Sequence, residues 1–336
     1  MKGHSLYFEA PGKVTVRETT IPSPDPNQVM VQTIASAISP GTEMLLYRGQ
    51  LPPDLPLDTS IDALANQSGQ YPVQYGYAAV GRVIEIGHAV SPDWRNQLVF
   101  AFQPHQSHFV TTPEQLWPLP EGMSPETAVF LPNMETTVNL VMDGAPLIGE
   151  RVAVFGQGIV GLLTTALLAN FPLAELITLD RYANRRAASL EIGATLSLDP
   201  FSGEAVSKMS GPFGLDLVYE VSGTPAALDQ AIEVTGFGGR IVIGSWYGTK
   251  PANLNLGGAF HRSRIQLISS QVSTISPALT GRWNKTRRFN LAWEMIRQVE
   301  PQRLITHALP FEDAAQAYTL LDQHSDKVIQ VLLSYK

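Results

Sequence analysis

Three glycines, Gly156, Gly158 and Gly161, stand in the pattern G-x-G-x-x-G directly after the apolar run 152–155. The spacing suits a strand that turns tightly into a helix. The first glycine permits the turn, the second admits a diphosphate to the helix N-terminus, and the third lets strand and helix pack closely. Asp180 follows Gly156 by 24 residues, at the end of a second apolar run, 176–179. An acid there accepts hydrogen bonds from both hydroxyls of an adenosine ribose and repels a 2′-phosphate. That favours NAD(H), and Arg181 beside it keeps NADP(H) open. The intervening Gln157, Ile159 and Val160, with Ser222, Gly244 and Ser245 at the ends of two later strands, complete the cofactor-binding set.

These residues need an α/β framework. From about Pro125 the chain alternates apolar strands with helices: strand 152–155, helix 158–170, strand 176–179, helix 185–192 stopped by Gly193, and strands 215–221 and 240–244. Thr224 and Pro225 read as N-cap and first-turn proline of the helix between the last two strands. The earlier part reads as short strands, 14–17, 29–35, 77–86, 98–102 and 108–111, with proline clusters at 21–26 and 51–56 marking loops. After about His261 the alternation ends, and a helix over 290–299 precedes 304–309 and a closing strand, 328–333. The uncharged stretch 152–174 has the length of a membrane span, but its glycine turn reads as strand, turn and helix.

Composition narrows the partners. The 336 residues are 44% hydrophobic and carry a net charge of −7, which suits a globular protein with two cores and works against nucleic acid or an anionic membrane as partner. A small-molecule substrate is expected. The absence of cysteine removes disulfides, thiol nucleophiles and thiolate metal sites, and the first sixteen residues lack the apolar core of a signal peptide, so the expected location is cytoplasmic. Between Val234 and Trp293 there is no acidic residue, yet eight Lys and Arg occur there. His261, Arg262 or Arg264 could therefore hold an anionic substrate group; the alternative is a solvated basic face. Trp246 and Tyr247, with Phe260 and Trp283, could line a substrate pocket, or belong to the core or a subunit interface.

The segments GYAAVGRVIEIG (76–87), GERVAVFGQGIVGLL (149–163), DLVYEVSG (216–223), GGRIVIGSWYG (238–248) and LITHALPFEDAAQAY (304–318), taken in order, resemble the medium-chain dehydrogenase/reductase superfamily over nearly the whole chain. The resemblance implies an α/β fold: a doubly wound parallel Rossmann sheet over 133–260, inserted in a GroES-like, mostly β substrate domain formed by 1–132 and 261–336, with the active site in the cleft between them. It further implies a homodimer paired through 252–260.

Zinc-dependent members of the superfamily hold a catalytic metal with Cys, His and a third Cys, Glu or Asp. Here Ser39 stands where the first ligand is expected, and Gly76-Tyr77-Ala78 replaces Gly-His-Glu. Glu135 is left as the one counterpart of a ligand, and one carboxylate does not make the three-ligand site that catalytic zinc needs. No metal is expected. His105 and His108, as an alternative ligand pair, would point to opposite faces of a strand.

Without zinc, a neutral donor must stabilise charge developing on the substrate oxygen. Tyr77, replacing a ligand, is one candidate and His105 a second. Ser39 and Glu43 are expected as positioners at a helix start, with Ser39 as N-cap ahead of Pro40. The leading expectation is an NAD(H)-dependent dehydrogenase acting on a secondary alcohol or carbonyl of a polar small molecule. An enone or quinone reductase using NADPH is a second reading. A third is an enzyme similar to the zinc-free dehydrogenases that oxidise the hydroxyethyl group of a chlorin, on Gly41-Thr42-Glu43 and Gly76-Tyr77. A fourth is a dinucleotide-binding protein without catalysis.

Overall fold

The structure, a computed structural model, describes residues 1–52, 56–65 and 67–336, so residues 53–55 of the proline cluster at 51–56 lie outside it. The chain opens with an antiparallel hairpin, β1 (Lys2–Ala10) and β2 (Lys13–Thr20). It continues through β3 (Val29–Ala37), α1 (Glu43–Tyr47), β4 (Ala79–Ile86), β5 (Leu98–Ala101), β6 (His108–Thr111), β7 (Trp117–Pro118) and α2 (Pro125–Ala128). The α/β alternation then runs α3 (Leu131–Gly144), β8 (Arg151–Phe155), α4 (Ile159–Leu168), β9 (Glu175–Leu179), α5 (Ala183–Ile192), β10 (Leu196–Leu198) and α6 (Ala205–Ser210). It continues with β11 (Leu215–Glu220), α7 (Pro225–Val234), β12 (Thr235–Ile243), β13 (Gln266–Ser269) and α8 (Lys285–Val299). The chain closes with β14 (Ile305–Pro310), α9 (Ala314–Gln323) and β15 (Gln330–Ser334).

These elements divide into two compact units, Met1–Pro132 with Glu300–Lys336, and Asn133–Val299. In the first, a seven-stranded sheet has the order β14-β15-β3-β4-β5-β7, with β6 also on β3. The closing strand reaches the N-terminal part of the chain by pairing antiparallel with β3, Leu332 opposite Ala37. One core of this unit gathers Leu6, Phe8, Leu46, Tyr75 and Tyr318; a second lies under β3, β4 and β5 around Val31, Val83 and Val99.

The second unit holds a six-stranded sheet of order β10-β9-β8-β11-β12-β13, in which every pair is parallel. Successive strands run outward from β8 to β10, and the chain then returns to the other side of β8 at β11. That reversal makes the carboxyl ends of β8 and its neighbours the place where such a sheet binds ligands. β8 and β9 are buried on both faces, as the apolar runs 152–155 and 176–179 require.

Three expectations need correction. The second unit extends to Val299 rather than ending near His261, because β13 adds to the parallel sheet beside β12 and α8 packs on α4. β13 is an edge strand with a half-exposed sequence, Gln-Leu-Ile-Ser, so it carries no buried apolar run to announce it. Eight elements went unread in the sequence: β1, β7, β10, β13, α2, α3, α6 and α9. Ser39 does not cap α1; the helix starts at Glu43 with Thr42 at its N-cap. Among the described residues, no helix is long and apolar enough to cross a membrane, and 152–174 forms β8, the glycine turn and α4.

Candidate active site

In the second unit, the turn between β8 and α4 has the glycines its geometry demands. Gly156 adopts φ +93°, and a Cβ there would lie 2.5 Å from Ser222 Cα. A Cβ on Gly161 would lie 1.9 Å from the Gly156 carbonyl oxygen, so strand and helix meet backbone to backbone. Gly158 differs from both. It occupies the N-cap of α4, no side chain caps the helix there, and a Cβ would approach only Arg185 Nη1, at 3.9 Å. The first amides of α4 therefore have no side-chain cap, the arrangement in which a helix start can accept an anion.

Gln157 could have filled this space and does not. Its side chain is buried beneath the turn, donating from Nε2 to the carbonyls of Val154 (3.2 Å) and Gly156 (3.1 Å) and accepting from Thr165 Oγ1 (3.0 Å). Asp180, just beyond β9, accepts from the backbone amides of Gln157 (2.8 Å) and Tyr182 (2.9 Å). Arg185, which the sequence reading passed over, places Nη1 3.8 Å from the same carboxylate. Its guanidinium and that of Arg181 lie 5.0 and 4.5 Å from the Tyr182 ring centroid.

Ser222, Gly244 and Ser245 come together at the carboxyl ends of β11 and β12. The amides of Gly244 and Ser245 both donate to the Glu220 carbonyl (3.0 and 3.2 Å), and Gly223 N donates to Ser245 Oγ (2.8 Å). Glu220, not singled out in the sequence, is fully buried; its carboxylate accepts from Ser222 N (2.9 Å) and from the Tyr247 hydroxyl. Burial and this neighbouring carboxylate push the Tyr247 phenol well up. An acid ending the apolar strand Leu-Asp-Leu-Val-Tyr-Glu was the available signal. Trp246 is 40% exposed, His261 and Arg262 are exposed, and Trp283 stacks under Arg287 (4.0 Å) while Tyr247 and Phe260 pack on one core. The four aromatic residues thus do not act as one cluster.

Glu135 does not serve as expected. Its Oε1 accepts from Nε (3.0 Å) and Nη2 (2.6 Å) of Arg288, a fully buried arginine, so this carboxylate is the counter-ion of a buried cation within the second unit. Arg288 itself does not belong to a solvated basic face, and Arg240, paired with Glu150 at 2.7 Å, is also committed.

In the first unit, four of the predicted residues do converge. Tyr77, half-buried, donates to Ser39 Oγ (2.6 Å) and lies 3.3 Å from Thr42 Oγ1. Glu43, fully buried, turns its Oε1 back to the Ser39 amide (2.8 Å), which explains why Ser39 precedes the helix rather than capping it. The other oxygen meets His105 Nε2 (3.0 Å) and the Tyr318 hydroxyl. On the far side of the ring, Nδ1 is 2.7 Å from Ser36 Oγ, which lies 2.8 Å from the Tyr335 hydroxyl. Both ring nitrogens are thus engaged, Nε2 by the Glu43 carboxyl and Nδ1 by the Ser36 hydroxyl. Gly76, at φ +112°, makes room for the ring: a Cβ there would lie 2.6 Å from His105 Cδ2.

His105 is only 1% exposed and both its nitrogens are hydrogen-bonded, which places the ring as a brace between Glu43 and Ser36 rather than on an open surface. His108, on β6, bonds to Ser107 Oγ (3.1 Å) and does not join it. Ser36, Tyr318 and Tyr335 went unseen because they lie 69, 275 and 299 residues from the side chains they bond.

Burial pushes the Tyr77 phenol up to about 12 and raises those of Tyr318 and Tyr335 well beyond the usual range. A phenol whose folded pKa exceeds its unfolded value of 10.0 holds its proton in the folded state. The stability this contributes is complete below pH 10 and is lost as pH rises through 12. Ultraviolet titration of phenolate is expected to show a class of tyrosines ionising only above pH 11, together with unfolding; normal titration of all tyrosines near pH 10 would contradict the buried cluster.

Among the described residues, no group of three or more His, Asp and Glu side chains could hold a metal ion. At the positions matching zinc ligands, the donors are the hydroxyls of Ser39 and Tyr77, bonded to each other. This donor set does not fit catalytic zinc.

Comparison with known proteins agrees with this architecture. A family model described as a zinc-binding dehydrogenase matches residues 160–289, within the second unit. Sorbitol dehydrogenase 2 of Saccharomyces cerevisiae is 24% identical over 98% of this chain and 97% of its own. Among solved structures, a zinc-binding dehydrogenase from Sinorhizobium meliloti 1021 bound to NADP has a TM-score of 0.78 at 20% identity, covering 99% of both chains. An alcohol dehydrogenase from Escherichia coli CFT073 complexed with NADH has a TM-score of 0.80 at 19% identity, also over 99% of both chains. With the family model on the parallel-sheet unit and likeness along the full length, the chain is similar to the alcohol and polyol dehydrogenases of the medium-chain type and shares their fold.

Proposed function

We propose that this protein is a zinc-independent, NAD(H)-preferring dehydrogenase that interconverts a secondary alcohol and the corresponding carbonyl of a polar small molecule. The observation that carries the reading is the uncapped, side-chain-free turn at Gly158, with Asp180 held beside it by two backbone amides. Those features match what a dinucleotide requires: amides for the diphosphate and a fixed acid for the ribose. A nicotinamide ring, when bound, supplies the hydride acceptor or donor. Asp180 favours the unphosphorylated ribose by charge. Arg181 and Arg185 stand close enough to temper that preference rather than reverse it, because Arg185 lies 3.8 Å from the acid it partly neutralises.

The oxygen chemistry falls to Tyr77. Its raised pKa keeps the hydroxyl protonated at neutral pH, and once the Ser39 hydroxyl turns to donate to the phenol oxygen, the Tyr77 proton is released to a carbonyl oxygen on which negative charge develops. Ser39 and Thr42 hold that hydroxyl at 2.6 and 3.3 Å, and Glu43 fixes Ser39 through its amide. His105, Ser36, Tyr335 and Tyr318 brace Glu43 from behind. The polyol and alcohol dehydrogenases among the relatives support alcohol chemistry in general.

The test is a panel of polar secondary alcohols and ketones assayed with NAD(H) and NADP(H), before and after exhaustive chelation. Turnover is expected with at least one carbonyl, unchanged by the chelator, and with NADH ahead of NADPH. Cofactor binding without any turnover, or activity lost on chelation and restored by zinc, would refute the proposal.

A further inference from the structure

Helix α3 carries Glu135, Asn139 and Asp143 at intervals of four residues, which places all three on one stripe of its surface. A stripe of this kind against a core is costly unless every group finds a partner. Here each does. Asn139 Nδ2 donates to Asp143 Oδ2 (2.9 Å) and lies 3.0 Å from Ser270 Oγ, and Ser270 Oγ donates to Asp143 Oδ2 (2.7 Å). Arg288, from α8, spans the rest. It donates to Glu135 Oε1, to Asn139 Oδ1 (2.6 Å), to the Thr274 carbonyl (2.9 Å) and to the Val272 carbonyl. The stripe therefore grips one segment, 270–274, which leaves the carboxyl end of β13.

That segment lies on the ligand side of the sheet. The diphosphate turn follows β8, and Asp180, which takes the adenosine ribose, follows β9 on one side of it. A dinucleotide bound across the carboxyl ends must send its other half toward β11, β12 and β13. We infer that Arg288, with the Glu135–Asn139–Asp143 stripe, is a positioning device that holds the backbone of 270–274 in the shape that receives the nicotinamide half of the cofactor. This rests on the dinucleotide reading above. Arg288 itself touches no cofactor atom; it acts through the Thr274 and Val272 carbonyls it binds. A guanidinium is suited to the task because its five donors in a fixed fork meet the Glu135 carboxylate twice, the Asn139 amide oxygen and two carbonyls at once, where an ammonium has only three donors.

The test compares NADH with AMP, which occupies the adenosine half alone, by fluorescence and calorimetry on purified Glu135→Gln, Ser270→Ala and Arg288→Lys proteins. The dissociation constant for NADH is expected to rise about tenfold in Glu135→Gln and Arg288→Lys, while that for AMP stays within about twofold. A purely structural role would weaken both ligands in step or neither, and either result overturns the inference. Should Arg288→Lys fail to fold, Glu135→Gln and Ser270→Ala decide, and unchanged NADH affinity in both refutes it. A wild-type protein that binds neither NADH nor AMP would instead defeat the cofactor reading. Wild-type binding of both, with no split in the variants, defeats this inference alone.

Discussion

Gly158→Val is expected to weaken dinucleotide binding by at least about a hundredfold while leaving thermal stability nearly unchanged, and Gly161→Ala to do the reverse. The contrast follows from the space around each glycine. A Cβ at Gly158 meets only the far end of a flexible arginine at 3.9 Å, and its backbone, at φ −71° and ψ −174°, is open to any residue. No neighbour in the folded protein clashes with a side chain there, and the loss of glycine at the N-cap costs only about 1 kcal/mol. A diphosphate resting on the amides of α4 does, because the branched side chain stands where its oxygens must lie. At Gly161 the same addition drives a carbon to 1.9 Å from the Gly156 carbonyl oxygen, and backbone cannot step aside as a side chain can. Overpacking of that kind costs about 3 kcal/mol when β8 and α4 must separate to relieve it. Measurements of NADH affinity by fluorescence and of stability by chemical denaturation check both halves. If Gly158→Val bound NADH as the wild type does, the diphosphate would not rest at this turn.

The second large effect concerns the hydroxyl cluster. Tyr77→Phe is expected to lower kcat for carbonyl reduction about 100- to 1,000-fold with little change in NADH affinity, the range for loss of one donor to a developing oxyanion. The phenyl ring keeps the edge contact with Tyr75, at 6.1 Å between centroids, so packing survives and only the donor is lost. The pH profile supplies a second check. A donor at about 12 stays protonated through the neutral and moderately alkaline range, so the wild-type kcat for reduction should show no loss between pH 8 and 10 from this group. A normal phenol would begin to lose its proton there. Equal kcat in Tyr77→Phe and wild type would move the chemistry to another residue.

Much of this protein was determined by sequence alone, and the reason is locality. The glycine turn, the acid at the end of β9 and the parallel strands depend on spacings of a few residues or on continuous apolar runs, and the chain order displays those directly. The hydroxyl side chains Ser39 and Tyr77 at the positions that match metal ligands were equally legible, since residue types are read directly from the chain. Tertiary structure decided what those residues do. Glu43 meets His105 across 62 residues and Tyr318 across 275, and Glu135 meets Arg288 across 153. No periodicity links such pairs. A buried carboxylate must find its partners wherever the fold brings them, so Glu135 became a counter-ion and His105 a brace, while the edge strand β13, half-exposed, entered the parallel sheet without an apolar run to announce it.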